Sequence, residues 1–475
     1  MQFNSFAFLG FFAVLAMVYY LAPQRWRWPL LLVASYYFYS QFQLTYVLLL
    51  AYSTLIAYGV GLWLARTRSK PMLILGIVLQ LAVLVLFKYV DFFAGLVEAG
   101  WGPFTTTAFA LPRLGWLLPA GLSFFVFSAI SYMVDVYRGT LPAERHLGHF
   151  ALYVAFFPKL VAGPIERAAP FLEQLRAGAV FNAPQVTFGL QMLLWGLFKK
   201  VVIADRLAEF VNAGFTNPEF QSPINLIVAV YFYAFQIYCD FSGYSDIAIG
   251  LAAILGFRLM ENFRRPYFSR SIPEFWSQRW HISLARWFRD YLYIPMGGNR
   301  VARPRWYLNQ MTVFLVSGLW HGANLTFIVW GALNGLYQVL YSVFARPREA
   351  VGSRLPGPLW GAIGIITTFH LVLVSWIFFR AESVGQAMAI ISKIWSGLSM
   401  LPMLWPSYNW SGEFWLSVGL ILVLLLIEAL DEFRSLWTWL ARRPTPIRWG
   451  FYYALLGCLV VFGQWGLSQF VYMQF

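Results

Sequence analysis

The chain has 475 residues, of which 60% are hydrophobic, 20% aromatic and only 11% charged. Soluble domains carry about twice that charged fraction, so the composition excludes an ordinary soluble protein and places the chain in a bilayer. The formal net charge of +14 does not point to nucleic acid, because the bases sit in short loops beside apolar runs, as the positive-inside rule expects.

In chain order, the first apolar run, 5–22, has no basic residue before it and is followed by Arg25 and Arg27. That is the pattern of an uncleaved first span, not of a cleaved signal peptide. Runs at 28–42 and 44–64 lead to Arg66, Arg68 and Lys70. Both basic loops then fall on one side; with that side cytoplasmic, the N-terminus lies outside. Further runs cover 72–87, 116–136, 149–161, 186–203, 224–238, 245–255, 308–320, 325–341, 359–379, 415–430 and 451–464. Several are shorter than a full span and broken by Gly or Pro, which fits half-helices lining a cavity. Loops are expected at 92–113, 346–358 and 397–413. The expected fold is all-α: a polytopic integral membrane protein of roughly 10–13 transmembrane helices, with re-entrant and interfacial helices around a central cavity. It forms one domain, with N-terminal spans over 1–255, a catalytic region over 256–345 and C-terminal spans over 346–475. Cys239 and Cys458 make no metal spacing, and no metal site is expected.

His321, one of five histidines, sits in Gly318-Leu319-Trp320-His321-Gly322-Ala323-Asn324 with apolar runs on both sides. An imidazole at membrane depth loses hydration and tends to be neutral. Polar groups there are costly and usually face a cavity, which suits a general base. The plainer alternative is a histidine that hydrogen-bonds between helices.

From Arg258 to Arg305 every base is an arginine, and only Glu261, Glu274 and Asp290 oppose them. Arginine's planar fork suits phosphate and carboxylate. Aromatic residues interleave, and 271–293 reads as an amphipathic helix or helix pair starting at Ser271 or Ile272 before Pro273. It is either an interfacial anchor or an anionic site for a carrier thioester, with aromatics stacking on an adenine. Arg279, Arg286, Arg289 and Trp280 are the candidates for holding such a donor. His281 lies in the same stretch, and no spacing rule links it to His321.

Asp240, Ser242, Tyr244 and Asp246 form a polar cluster read as a break between the runs 224–238 and 247–255. Its carboxylates need partners, for which the arginine-rich stretch is an obvious source. They are scaffold, or they orient a histidine or line a substrate path. The phrase 157–167, with Lys159, Gly163-Pro164, Glu166 and Arg167, is a similar break.

Taken together, the phrases 157–167 and 240–246, Glu261-Asn262-Phe263, Glu274-Phe275-Trp276, Arg279-Trp280-His281-Ile282-Ser283-Leu284, 287–293, 318–324, Thr368-Phe369-His370 and 376–381 resemble the membrane-bound O-acyltransferase family, in its bacterial polysaccharide branch. The resemblance implies that His321 is the essential catalytic histidine and His281 its polar partner. Trp320 and Asn324 lie in the same motif. Asn334 stands where many relatives carry a histidine. The implied activity is transfer of an acetyl group from cytoplasmic acetyl-CoA to a periplasmic serine-esterase-like partner, which modifies an alginate-like exopolysaccharide. No permanently bound cofactor is implied. The setting is the bacterial inner membrane, with an outer docking rim that includes 401–410. D-alanyl transfer towards teichoic acid, or transport of an acyl or lipid carrier without bond chemistry, are the alternatives.

Overall fold

The computed structural model describes residues 1–101, 110–400, 402–403, 410–433, 435–466 and 470. All regular structure among them is helical. Among the described residues, seven helices are long and apolar enough to cross a membrane: Tyr46–Thr67, Lys70–Lys88, Ala183–Thr216, Pro223–Ile254, Gly357–Arg380, Gly412–Phe433 and Thr445–Phe462. An eighth arises if the bent pair Leu325–Val343 and Ala345–Gly352 is one span. Other apolar runs fold as shorter helices, such as Phe6–Leu21 and Leu147–Ala155. Two expected loops are partly helical, at Val90–Trp101 and Ala345–Gly352. Most of the expected docking rim at 401–410 lies outside the described residues.

The chain forms two compact units, Met1–Leu190 with Ala248–Met260, and Gln191–Ile247 with the residues from Glu261 on. In the first, Ser5 and Ser69 cap the helices that follow them, each hydroxyl accepting a backbone N–H three residues on, as N-caps do. Gly61 lies against the Tyr132 ring, where a Cβ would come within 2.5 Å of it, and this lets the Tyr46–Thr67 and Leu122–Arg138 helices approach closely. Between the helices Tyr46–Thr67 and Lys70–Lys88, Ser53 Oγ donates to Gln80 Oε1 at 2.7 Å, and Gln80 Nε2 returns a bond to the Ser53 carbonyl at 2.8 Å. Polar groups between spans must be satisfied in this way. In the 157–167 phrase, the Lys159 ammonium sits 4.2 Å from the centre of the Tyr153 ring, and Glu166 accepts from the Met260 N–H at 2.9 Å.

In the second unit, the polar cluster at 240–246 does not interrupt a helix. Pro223–Ile254 is one helix of 32 residues. A Cβ on Gly196 would meet the Gly243 carbonyl oxygen at 2.6 Å, and one on Gly243 would meet the Gly196 carbonyl at 2.8 Å. The two backbones therefore touch, and the stretch Phe198–Ala204, wound as a π-helix, lies along the acidic face. Lys199 pairs with Asp246 at 2.6 Å, and Lys200 with Asp240 at 2.6 Å and Asp205 at 2.7 Å. The partners of the two carboxylates are thus lysines, not the arginine stretch.

Candidate functional site

His321 is the last residue of the helix Arg303–His321, and the chain turns within three residues into Leu325–Val343. The phrase around it is built for this turn. A Cβ on Gly318 would lie 2.3 Å from the Phe327 carbonyl oxygen, and one on Gly331 would lie 2.4 Å from that of Phe314, so small residues let the two helices meet backbone to backbone. At Gly322, a Cβ would strike the Phe327 ring at 2.0 Å. Asn324 caps the second helix by accepting the Thr326 N–H at 3.1 Å, and its amide donates to the Glu382 carbonyl at 2.8 Å. The imidazole is buried, not lipid-facing, with 5% of its surface exposed. The rings of Trp320, Trp330 and Phe379 surround it at 4.9, 5.1 and 5.2 Å.

The stretch 271–293 is a helix pair, as expected. Ser271 caps it, accepting from the Glu274 N–H at 3.2 Å. The break comes at His281, which adopts a left-handed backbone with φ +43° and precedes the helix Ile282–Phe288. Such a conformation costs a non-glycine residue about 1–3 kcal/mol, and residues of this kind cluster at functional sites. Asn262 holds the strained turn. Its carbonyl accepts the Ile282 N–H at 2.9 Å, and its Oδ1 accepts the Ser283 N–H at 3.3 Å and the Ser283 hydroxyl at 2.8 Å. The Asn262 amide nitrogen donates to Ser245 Oγ at 3.0 Å. His281 lies outside the spanning helices, and burial pushes its imidazole down to about 3, so it is neutral at physiological pH.

The structure brings the two histidines together. Both line one cavity of about 300 Å³, whose walls include Trp276, Trp280, Leu284, Phe288 and Phe314, with Gln310, Ser317 and Gln338 as polar groups. Trp320 neighbours both imidazoles, its ring 6.1 Å from that of His281 and 4.9 Å from that of His321. Trp280 is buried, stacked on Phe275 at 5.5 Å with the planes 14° apart. Asn334 is fully buried; its Oδ1 accepts from Trp276 Nε1 at 3.1 Å and its amide donates to the Trp330 carbonyl at 2.9 Å. It thereby fixes the tryptophan that forms one wall.

The arginines divide into two kinds. Arg279 is committed internally, with Nε on Glu274 at 2.6 Å and Nη2 on Glu432 at 2.7 Å. Arg286 and Arg289 are exposed, and Arg289 pairs with Asp290 at 2.8 Å. Asp240 and Asp246 are held by the lysines, Ser242 accepts from Lys199 at 2.9 Å, and Tyr244 stacks on Phe470 at 4.7 Å. None of these four lines the cavity. Sequence reasoning passed over Lys199 and Lys200, although two adjacent ammonium groups inside the apolar run 186–203 are the kind of intramembrane charge that needs an assigned partner.

The sequence pattern of the membrane-bound O-acyltransferase family matches residues 31–379, a stretch that contains both histidines. Over 400 residues the chain is 41% identical to a probable alginate O-acetylase of Pseudomonas putida, covering 83% of this chain and 79% of that one. Over 416 residues it is 35% identical to a peptidoglycan O-acetyltransferase of Helicobacter pylori, covering 81% and 76%. A teichoic acid D-alanyltransferase of Bacillus subtilis is 27% identical over 273 residues, covering 55% and 68%.

Proposed function

Because the chain belongs to the membrane-bound O-acyltransferase family, we propose that it moves an acetyl group from acetyl-CoA towards an extracellular polysaccharide. The observation that carries this reading is the single apolar cavity lined by both His281 and His321. The relatives that share most of the chain are named for O-acetylation of alginate and of peptidoglycan, which favours acetyl over D-alanyl transfer. In the reading proposed, the protein sits in the bacterial inner membrane, and the acetyl group passes through the cavity to a periplasmic partner of the serine-esterase type. His321 and His281 are the catalytic residues.

The chemistry follows from the geometry. The Ser283 backbone N–H can only donate, so Asn262 Oδ1 is an acceptor and His281 must present Nδ1–H to it at 3.0 Å. That leaves the lone pair on Nε2. His281 can then receive a hydrogen bond from the acceptor hydroxyl and orient it. His321 takes the hydroxyl proton as the oxygen attacks the thioester carbonyl. The tetrahedral intermediate expels the CoA thiolate, which recovers the proton from the imidazolium, so an ester and a free thiol result. His321 ends its helix, where the negative end of the helix dipole favours the imidazolium that forms. The aromatic walls keep bulk water from the thioester.

The test is release of free CoA thiol by the purified protein in liposomes without any ion gradient. Acetyl-CoA should be consumed only when a hydroxyl acceptor or the periplasmic partner is supplied. Consumption of a D-alanyl thioester in its place, or movement of a carrier with no thiol release, would overturn the reading.

A further inference from the structure

A second cavity, in the Met1–Leu190 unit, has no part in the acyl-transfer chemistry. It encloses about 170 Å³, and Gln24, Arg25, Arg27, Trp28, His149 and Arg176 are among the residues that line it. A single water needs roughly 10–15 Å³ of such space, so the cavity has room for a phosphate group.

The charges in its wall are only partly compensated. Arg176 pairs with Glu144. Arg27 is held by neutral acceptors: its guanidinium donates to the carbonyls of Ala22 at 3.1 Å, Ala179 at 2.6 Å and Tyr20 at 3.3 Å. These bonds take three of its five N–H groups and fix it in place without cancelling its charge. Arg25 is exposed, and no carboxylate lies within ion-pair distance of it among the described residues. Both arginines occupy the first turn of the helix Gln24–Ser40. A helix N-terminus is itself positive and favours anions, so two cations there are unfavourable until an anion joins them.

The surroundings indicate the source of that anion. The chain leaves the apolar helix Phe6–Leu21 and enters Gln24–Ser40 at this point. Tyr19, Tyr20, Trp26 and Trp28 cluster along it, as aromatic residues do at a membrane surface. Leu21 and Trp26, each within two residues of one that lines the cavity, are exposed and offer an apolar track for acyl chains. We propose that the cavity binds the phosphate of an anionic phospholipid, with the acyl chains running along Leu21 and Trp26. A soluble phosphate would satisfy the same cations but would make no use of that track.

Native mass spectrometry of the full chain in detergent, with phosphatidylglycerol or phosphatidylcholine added, tests this. Phosphatidylglycerol should be retained preferentially. Retention should fall about fivefold in Arg25→Gln, in line with the contribution of a single basic residue at a membrane surface, while Arg66→Gln, outside the cavity, should leave it unchanged. Arg27→Gln removes the carbonyl contacts as well and can fail to fold; Arg25, with no internal partner, keeps the test decisive. Equal retention by wild type and Arg25→Gln would overturn the proposal. Thermal protection by inorganic phosphate with none from phosphatidylglycerol would also overturn it, in favour of a soluble ligand.

Discussion

Nδ1 of His281 lies 3.0 Å from Oδ1 of Asn262, and the same oxygen accepts the backbone N–H of Ser283. One amide therefore chooses the tautomer of an imidazole in the cavity wall. Asn262 is a positioning residue, and a change there should alter how the reaction depends on pH as well as its rate. In Asn262→Asp, a carboxylate would face Nδ1–H and raise the affinity of His281 for a second proton. In the wild type His281 stays neutral far below physiological pH, so it sets no limb of the profile near neutrality. In the variant, activity should be lost as pH falls through the raised value, moving the acidic limb upward. A wild-type pH profile in Asn262→Asp would remove the residue from this role.

Replacing His321 by Ala should lower acetyl transfer by about 10²–10⁴-fold, the usual contribution of a general base. The purified variant should still elute as a monodisperse species from size-exclusion chromatography. Retention of more than half the wild-type rate would falsify the assignment. His281→Gln, which keeps a hydrogen-bonding group, should retain more activity than His281→Ala; equal and full activity in both would exclude His281 from the site.

Donor binding should separate the arginines. Arg286→Gln and Arg289→Gln should each raise the KM for acetyl-CoA several-fold, with an effect that shrinks at high salt because exposed charges are screened. Arg279→Gln should instead lower the melting temperature, since it strips partners from Glu274 and Glu432. Kinetics over a range of ionic strength, alongside thermal unfolding, distinguishes the two outcomes. If neither exposed arginine affects KM, the stretch is an anchor only.

Lys200→Met should be severely destabilising. It would leave Asp205 and Asp240 buried without their shared cation, and breaking a buried pair typically costs about 3–5 kcal/mol. The melting temperature in detergent reports this, and an unchanged value would mean that water or another group compensates the two carboxylates.

Much of this architecture is legible in the sequence because the bilayer imposes simple rules. Apolar runs marked many of the helices, Ser271 before Pro273 marked the start of the helix pair, and the runs 308–320 and 325–341 bracketed the motif that carries His321. The cluster at 240–246 misled because Gly243 and its polar neighbours look like a helix breaker when viewed alone. In the fold, Gly243 is the contact surface for Gly196, and the acidic residues are neutralised by lysines some forty positions earlier. No local pattern encodes that pairing. The convergence of His281 and His321 is likewise a product of tertiary packing, and the role of Asn262 depends on a backbone bend at His281 that no propensity foretells.

The contact between Gly196 and Gly243 also bears on how the protein is made. A charged side chain at the centre of a lone helix opposes its insertion by about 2.5–3.5 kcal/mol. The helix Ala183–Thr216 carries Lys199 and Lys200, and Pro223–Ile254 carries Asp240 and Asp246. Either segment entering lipid alone would leave charges without their partners in the other, whereas together Lys199 meets Asp246 and Lys200 meets Asp240. Only six residues separate them, so the second helix emerges from the ribosome soon after the first. Their biogenesis is therefore expected to be concerted, the two leaving the translocon as a closed hairpin whose register the two glycines set.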